Sequence, residues 1–286
     1  MQRTSLGDFE LTVVTDGSYY LDGGAMFGVV PKTLWSKRWV PDEQNRLRAG
    51  LITLVIRTGE KTVLVETGIG NKLSEKFQRI YENTPSLLAA LEEAKVSPDE
   101  VDVVINTHLH FDHCGWNTVI KDGRAVATFP NAKYYVQEGE LEHAHEQHER
   151  DRVSYLTDNY DPLVANGQMQ LLRGDTEILP GISVKVFPGH TRNHQVVTVR
   201  SQGKTACYVG DLIPTSAHLP PTWVMAYDLF PLDSIASRHR YYEEAVPQNW
   251  LTVFTHDPTM LWAYVQKDEK GRLVAHQVPV EVGSVR

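Results

Sequence analysis

His108-Leu109-His110-Phe111-Asp112-His113 gathers three imidazoles and a carboxylate into six residues. Histidines packed this densely repel one another when protonated and need partners when buried neutral. A divalent cation resolves both demands by taking neutral nitrogen and carboxylate oxygen as ligands. The spacing is not the His-Glu-x-x-His of a helical zinc site, where ligands four apart share one face. At an extended strand end residues 108, 110 and 112 point to one side, and His113 joins them if the chain turns at Cys114-Gly115.

One tetrahedral ion needs about four ligands, so further donors are expected from elsewhere. Three candidates stand just after apolar runs that read as strands. Pro188-Gly189-His190 follows Ile182–Phe187, Gly210-Asp211 follows Ala206-Cys207-Tyr208-Val209, and Thr255-His256-Asp257 follows Leu251-Thr252-Val253-Phe254. Donors delivered at strand ends are how α/β sheets assemble a site from distant sequence. His108, His110, Asp112, His113, His190, Asp211 and His256 together would suit two ions sharing a bridging carboxylate.

Outward from these donors, the β-rich runs Leu51–Arg57 and Lys61–Glu66 flank Thr58-Gly59-Glu60 and predict a hairpin. Ser86–Ala94 predicts an amphipathic helix and Val101–Asn106 a buried strand that delivers His108. Lys133–Val136, Val196–Val199 and Thr205–Val209 predict strands, and Glu138–Arg150 a polar helix with His143, His145 and His148 on a solvated face. His239 and His276 read as surface residues. The pattern predicts a layered α/β architecture with mixed sheets in one domain over residues 1–286.

Two stretches, about 19–50 and 212–233, read as long irregular loops framing the site. Their Met26, Phe27, Trp35, His218, Trp223 and Tyr227 are the candidate substrate-binding residues, because long aromatic-rich loops form lids and binding walls. A satellite core or an oligomer contact is the competing reading. Exposed Trp35 and Trp39 would favour a homodimer.

The chain has 286 residues, 41% hydrophobic and 22% charged, with a formal net charge of -8. That balance argues against a nucleic-acid partner, since phosphate backbones are bound mainly by Lys and Arg. Cys114 and Cys207 could form one bridge but no disulfide framework. Neither an apolar leader at Met1–Asp8 nor a membrane-spanning run is visible, so a cytoplasmic protein with a small-molecule substrate and no membrane partner is expected.

Val63-Leu64-Val65-Glu66-Thr67-Gly68, Thr107–His113, Pro188-Gly189-His190-Thr191, Gly210-Asp211 and Thr255-His256, in that order, resemble the metallo-β-lactamase-fold superfamily. The resemblance covers most of the chain and implies a four-layer αββα sandwich of two mixed sheets flanked by helices. It implies that His108, His110 and His190 hold one ion, that Asp112, His113 and His256 hold a second, and that Asp211 bridges them. The ions would be zinc, with manganese, iron or cobalt as substitutes. Glu66 stands where the family usually has Asp, a residue that orients a ligand, so the departure bears on fine geometry. His194 is expected beside the ligands in a supporting role.

The mechanism implied is attack by a metal-bridging hydroxide, with Asp112 passing a proton to the leaving group. True β-lactamases of the fold generally lack a bridging Asp at the position of Asp211. The nucleases insert a domain where Asp211 and His256 are close in sequence, and glyoxalase II enzymes carry a helical domain for which too little chain follows His256. The remaining branch is the lactonase and phosphotriesterase-like one, similar to methyl parathion hydrolase. An ester or lactone hydrolase is therefore expected, with acyl-homoserine lactones among its substrates and phosphotriesters as a side activity. An iron-dependent oxidoreductase of the persulfide dioxygenase type, a β-lactamase and a non-catalytic scaffold are the alternatives.

Overall fold

The computed structural model describes residues 1–278; residues 279–286 of the expected domain lie outside the described residues. The hairpin expected around Gly59 lies inside the first of two seven-stranded sheets. In chain order the first half contributes β1 (Gln2–Leu6), β2 (Phe9–Asp22), β3 (Arg46–Arg57), β4 (Thr62–Val65), β5 (Val103–Ile105), β6 (Thr118–Lys121), β7 (Arg124–Ala127), β8 (Lys133–Gln137) and β9 (Met169–Leu172). The first sheet runs β1-β2-β3-β4-β5-β8-β9, with β6 and β7 forming a separate hairpin. The second sheet runs in sequence order through β10 (Thr176–Leu179), β11 (Ile182–Val186), β12 (Gln195–Ser201), β13 (Lys204–Tyr208), β14 (Leu251–Val253), β15 (Trp262–Lys267) and β16 (Leu273–Gln277). Strands β4, β5, β8 and β9 pair in parallel, as do β13 and β14, while the remaining pairs in both sheets are antiparallel.

The helices are α1 (Gly23–Phe27), α2 (Lys32–Trp35), α3 (Glu75–Tyr81), α4 (Leu87–Glu93), α5 (Phe111–Cys114), α6 (Glu138–Glu146), α7 (Asp161–Ala165) and α8 (Pro231–Ala245). Strands buried on both faces read as continuous apolar runs, and β3 shows why. Its Leu54 and Ile56 join the core between the sheets with Val63, Ile105, Val197, Tyr208 and Val253. The intervening Val55 faces outward, to Leu87 and Leu91 of α4 and Leu141 of α6. On the far side Tyr241, Tyr242 and Ala245 of α8 cover Val196, Cys207 and Val209. The order helix, sheet, sheet, helix is the expected αββα sandwich.

Two expectations change. The 19–50 stretch is not one irregular loop: β2 and β3 stay paired up to Asp22↔Arg46, and α1 and α2 occupy part of the remainder. Gly17 sits inside the paired strand at φ 87 and Gly23 opens α1. The helix at Glu138 stops at Glu146, where Gln147 turns left-handed at φ 49. The cysteines are both free and buried, so they do not bridge. Among the described residues no helix is long and apolar enough to cross a membrane.

Candidate metal centre

The chain leaves β5, bends at Thr107 and His108, is extended at His110 (φ -63, ψ 149) and then enters α5. The turn therefore comes directly after His110, not at Cys114-Gly115. His108 projects from a bend, His110 from extended backbone, and Asp112 and His113 from a helical turn. The loop is held by bonds to its own backbone: Thr107 N donates to Glu66 Oε1 (2.6 Å), Gln195 N to Thr107 O (3.0 Å) and Thr67 N to His113 O (2.8 Å). Glu66 itself is left-handed at φ 66, and its Oε2 faces His113 Nδ1 at 3.6 Å. Glu140, fully buried on α6, accepts from Leu109 N (3.1 Å), Tyr155 Oη (2.9 Å) and Thr191 Oγ1 (2.6 Å).

Long-range packing brings His190, Asp211 and His256 to this loop. Three donor groups result: His108, His110 and His190; His108, His113 and Asp211; and Asp112, His113 and His256. Within each group one ligand atom per residue lies within 4.8 Å of the others. Asp211 Oδ2 faces His190 Nε2 at 3.1 Å, and Oδ1 faces His256 Nε2 at 3.1 Å and His113 Nε2 at 3.5 Å. His110 Nδ1 is 3.1 Å from His190 Nε2. Two rings have the outer nitrogen tied back: His190 Nδ1 pairs with Asp228 Oδ1 (3.0 Å), and His256 Nδ1 with the Gly50 carbonyl (2.9 Å). Since carboxylate and carbonyl oxygens only accept, both Nδ1 atoms donate and both Nε2 atoms face the centre. His194 Nε2 accepts from Asp211 N at 3.1 Å, which places that residue as a support for the Asp211 backbone.

The centre's polar atoms lack protein partners. His108 Nε2, both nitrogens of His113 and Asp211 Oδ1 are buried without a hydrogen bond. Unpaired buried polar groups are costly, and a cation among them satisfies several at once, so the donor set fits divalent metal. Burial, reinforced by neighbouring histidines, holds His108 and His110 well below the usual imidazole range and so in the neutral, ligating form. For Asp211, burial works against charge but is outweighed by His113, His190 and His256, which keep its carboxyl well below the usual range.

The donors open onto a cleft. His110, Asp112, His190, Asp211 and His256 line its floor, and Leu21, Met26, Phe111 and Met225 supply apolar walls. Tyr19, Tyr81 and Tyr227 add hydroxyls, and Arg150 stands among the lining residues as a cation. Of the expected substrate-contacting residues, Met26 and Tyr227 line the cleft, whereas Phe27, Trp35, His218 and Trp223 do not. Phe27 is stacked between Trp35 (5.0 Å) and His218 (4.5 Å), with Trp223 edge-on at 5.9 Å. His218 is tied to Thr215 and the Met26 carbonyl. These residues form a satellite core behind Met26, and Trp35, 2% exposed, gives no support to a dimer face. On α6, His145 and the nearby His148 are exposed as expected, while His143 is half-buried against Asp151 (2.7 Å).

Tyr19, Glu140 and Asp228 were not singled out by the sequence. Asp228 stands in an irregular stretch with no periodicity, and Glu140 is one acid among several on a polar helix. Tyr19 carried a faint signal, as an aromatic two residues after Gly17 in a β-rich run.

A family model described as the metallo-beta-lactamase superfamily matches residues 47–256. An N-acyl homoserine lactonase of Bacillus cereus is 25% identical over 171 residues, and the chain spans 61% of that relative with 55% of its own length. The crystal structure of a probable metal-dependent hydrolase from Staphylococcus aureus has a TM-score of 0.88 at 32% identity, covering 96% of this chain and 99% of that one. A dizinc quorum-quenching lactonase in complex with its product N-hexanoyl-L-homoserine shares the fold, with a TM-score of 0.80 at 21% identity over 97% of this chain and 98% of that one.

Proposed function

The chain belongs to the metallo-β-lactamase superfamily, a family of metal-dependent hydrolases, and on that premise we propose that it hydrolyses an ester or lactone at a centre of two divalent ions. The carrying observation is the division of Asp211, with one oxygen toward His190 and the other toward His113 and His256. His108, His110 and His190 would hold the first ion, Asp112, His113 and His256 the second, and Asp211 both. Two ions so held would lower the pKa of a shared water toward neutrality and polarise the substrate's carbonyl.

The chain's own residues supply the rest. Asp112 lies on the cleft floor and is assigned the proton transfer between an attacking water and a leaving oxygen. Leu21, Met26, Phe111 and Met225 would seat an acyl chain and exclude water from the reacting bond. Glu66, through Thr107, and His194, through Asp211, hold the ligand backbone in place.

An N-acyl homoserine lactone is the favoured substrate, because the curated relative carries that activity in its name and the cleft joins apolar walls to a polar floor. Zinc is the favoured metal, on the name of the dizinc neighbour and the nitrogen-rich donor set. Phosphotriester hydrolysis is proposed as a side activity.

The test is a hydrolysis panel on metal-characterised protein: acyl-homoserine lactones, simple lactones, aryl esters, a phosphotriester and a β-lactam. Close to two equivalents of metal, with turnover of lactones or esters, is the expected result. Turnover of the β-lactam alone would overturn the substrate reading, and one iron per chain with thiol-dependent oxygen uptake would overturn the hydrolase reading.

A further inference from the structure

Strand β2 changes face partway along. Leu11 pairs with Ile56, Val13 with Leu54 and Thr15 with Ile52, and Leu11, Val13, Leu54 and Ile56 all point into the core between the sheets. Beyond Thr15 the register shifts, so that Ser18 pairs with Gly50 and Tyr19 with Ala49. Asp16 and Gly17 thus oppose the single residue Leu51, as in a β-bulge. An unbroken strand would put Tyr19 on the inner face with Leu11 and Val13, because successive side chains alternate. The extra residue turns it to the other face, beside Ala49, Leu51 and Phe111.

The bulge is firmly held. Gly17 has φ 87, and a Cβ there would stand 2.0 Å from the Thr84 carbonyl oxygen. The Asp16 carboxylate accepts from Ile69 N (2.8 Å), Gly70 N (3.1 Å), Ser86 N (2.7 Å), Leu87 N (2.6 Å) and Trp116 Nε1 (2.9 Å). These donors come from the segment after β4, the start of α4 and the segment after α5.

At the end of this arrangement Tyr19 Oη donates to Asp112 Oδ2 at 2.5 Å. The same oxygen faces His113 Nε2 at 3.6 Å and His256 Nε2 at 3.7 Å, and the Tyr19 ring lies 5.7 Å from the His256 ring. Tyr19 therefore touches two of the three residues of the Asp112, His113 and His256 group, the one assigned to the second ion. Among the described residues no hydrogen bond or ring contact joins it to His108, His110 or His190. A carboxylate oxygen has two lone pairs; the phenol occupies one and leaves the other toward the histidines.

We propose that Tyr19, brought to the outer face by the bulge at Asp16-Gly17, is a positioning residue that presents Asp112 to the second ion alone. The inference rests on the two-ion reading above. The test is stepwise titration of metal-free full chain with cobalt(II), followed by calorimetry and the visible absorption of each site. Groups bonded to ligands typically account for 10–100-fold in metal affinity, so Tyr19→Phe should weaken the second binding step by about that factor and leave the first within about threefold.

Tyr20→Phe, on the opposite face of the strand, should leave both steps unchanged. Circular dichroism and thermal unfolding of the metal-free proteins separate a folding defect from a site defect. Wild-type and Tyr19→Phe isotherms that coincide would overturn this inference alone. Equal loss of both steps would do the same by reducing Tyr19 to a structural residue. A wild-type chain that takes only one ion would overturn the two-ion reading and this inference with it.

Discussion

Asp228 Oδ1 accepts from His190 Nδ1 at 3.0 Å, and both side chains are buried. The bond makes Nδ1 of His190 the donor and aims Nε2 at the space between His110 and Asp211. Asp228→Ala frees the ring and leaves Nδ1–H unpaired. Metal affinity is expected to fall by about 10–100-fold, measured by competition with a chromophoric chelator. Affinity equal to wild type would show that packing alone orients His190.

His110→Ala removes a donor from the first group and should abolish both metal retention and hydrolysis. Chelator-stripped wild type should likewise be inactive and recover on addition of zinc. Because the ions bind the folded chain, free metal at 100 times its Kd adds about 2.7 kcal/mol of stability. Stripping should therefore lower the Tm by several degrees, read by differential scanning calorimetry. Full activity in a metal-free sample would end the metallohydrolase reading.

Glu140 answers three donors in a space without water access, so Glu140→Ala leaves Leu109 N and the Tyr155 and Thr191 hydroxyls unpaired. Unsatisfied buried donors cost about 1–3 kcal/mol each, and partial relaxation brings the expected loss to about 3 kcal/mol. A lower urea midpoint with an unchanged slope would register it. A midpoint equal to wild type would mean that the helix–loop contact is dispensable.

His218 supplies a pH dependence. Burial, with Arg238 nearby, pushes its imidazolium pKa down to about 3, against about 6.5 in an unfolded chain. Between those values the unfolded state binds a proton that the folded state refuses. The contribution to stability is therefore full above pH about 6.5 and declines as pH falls toward 3, by at most about 1.4 kcal/mol per pH unit. Thermal midpoints of His218→Gln should fall less steeply than wild type across that range. Parallel pH profiles would refute the assignment.

The sequence by itself determined which donor residues gather at the candidate centre and which strands carry them. His108, His110, Asp112 and His113 are adjacent in the chain, and His190, Asp211 and His256 each follow an apolar run whose β character is local. The layered architecture with mixed sheets was legible for the same reason, since double-sided burial of β3 leaves a continuous apolar run, whereas the αββα sandwich was implied by the family resemblance. Only the tertiary structure decided the orientation of each donor. The split of Asp211 between two histidine groups, and the partners Asp228, Glu140 and Tyr19, depend on contacts between residues far apart in sequence. It also decided that Phe27, Trp35, His218 and Trp223 stack behind the cleft wall, because an aromatic side chain goes wherever other rings leave room for it. The face of Tyr19 turns on one inserted residue in a ladder of period two, and local sequence does not reveal a pairing register set by the opposite strand.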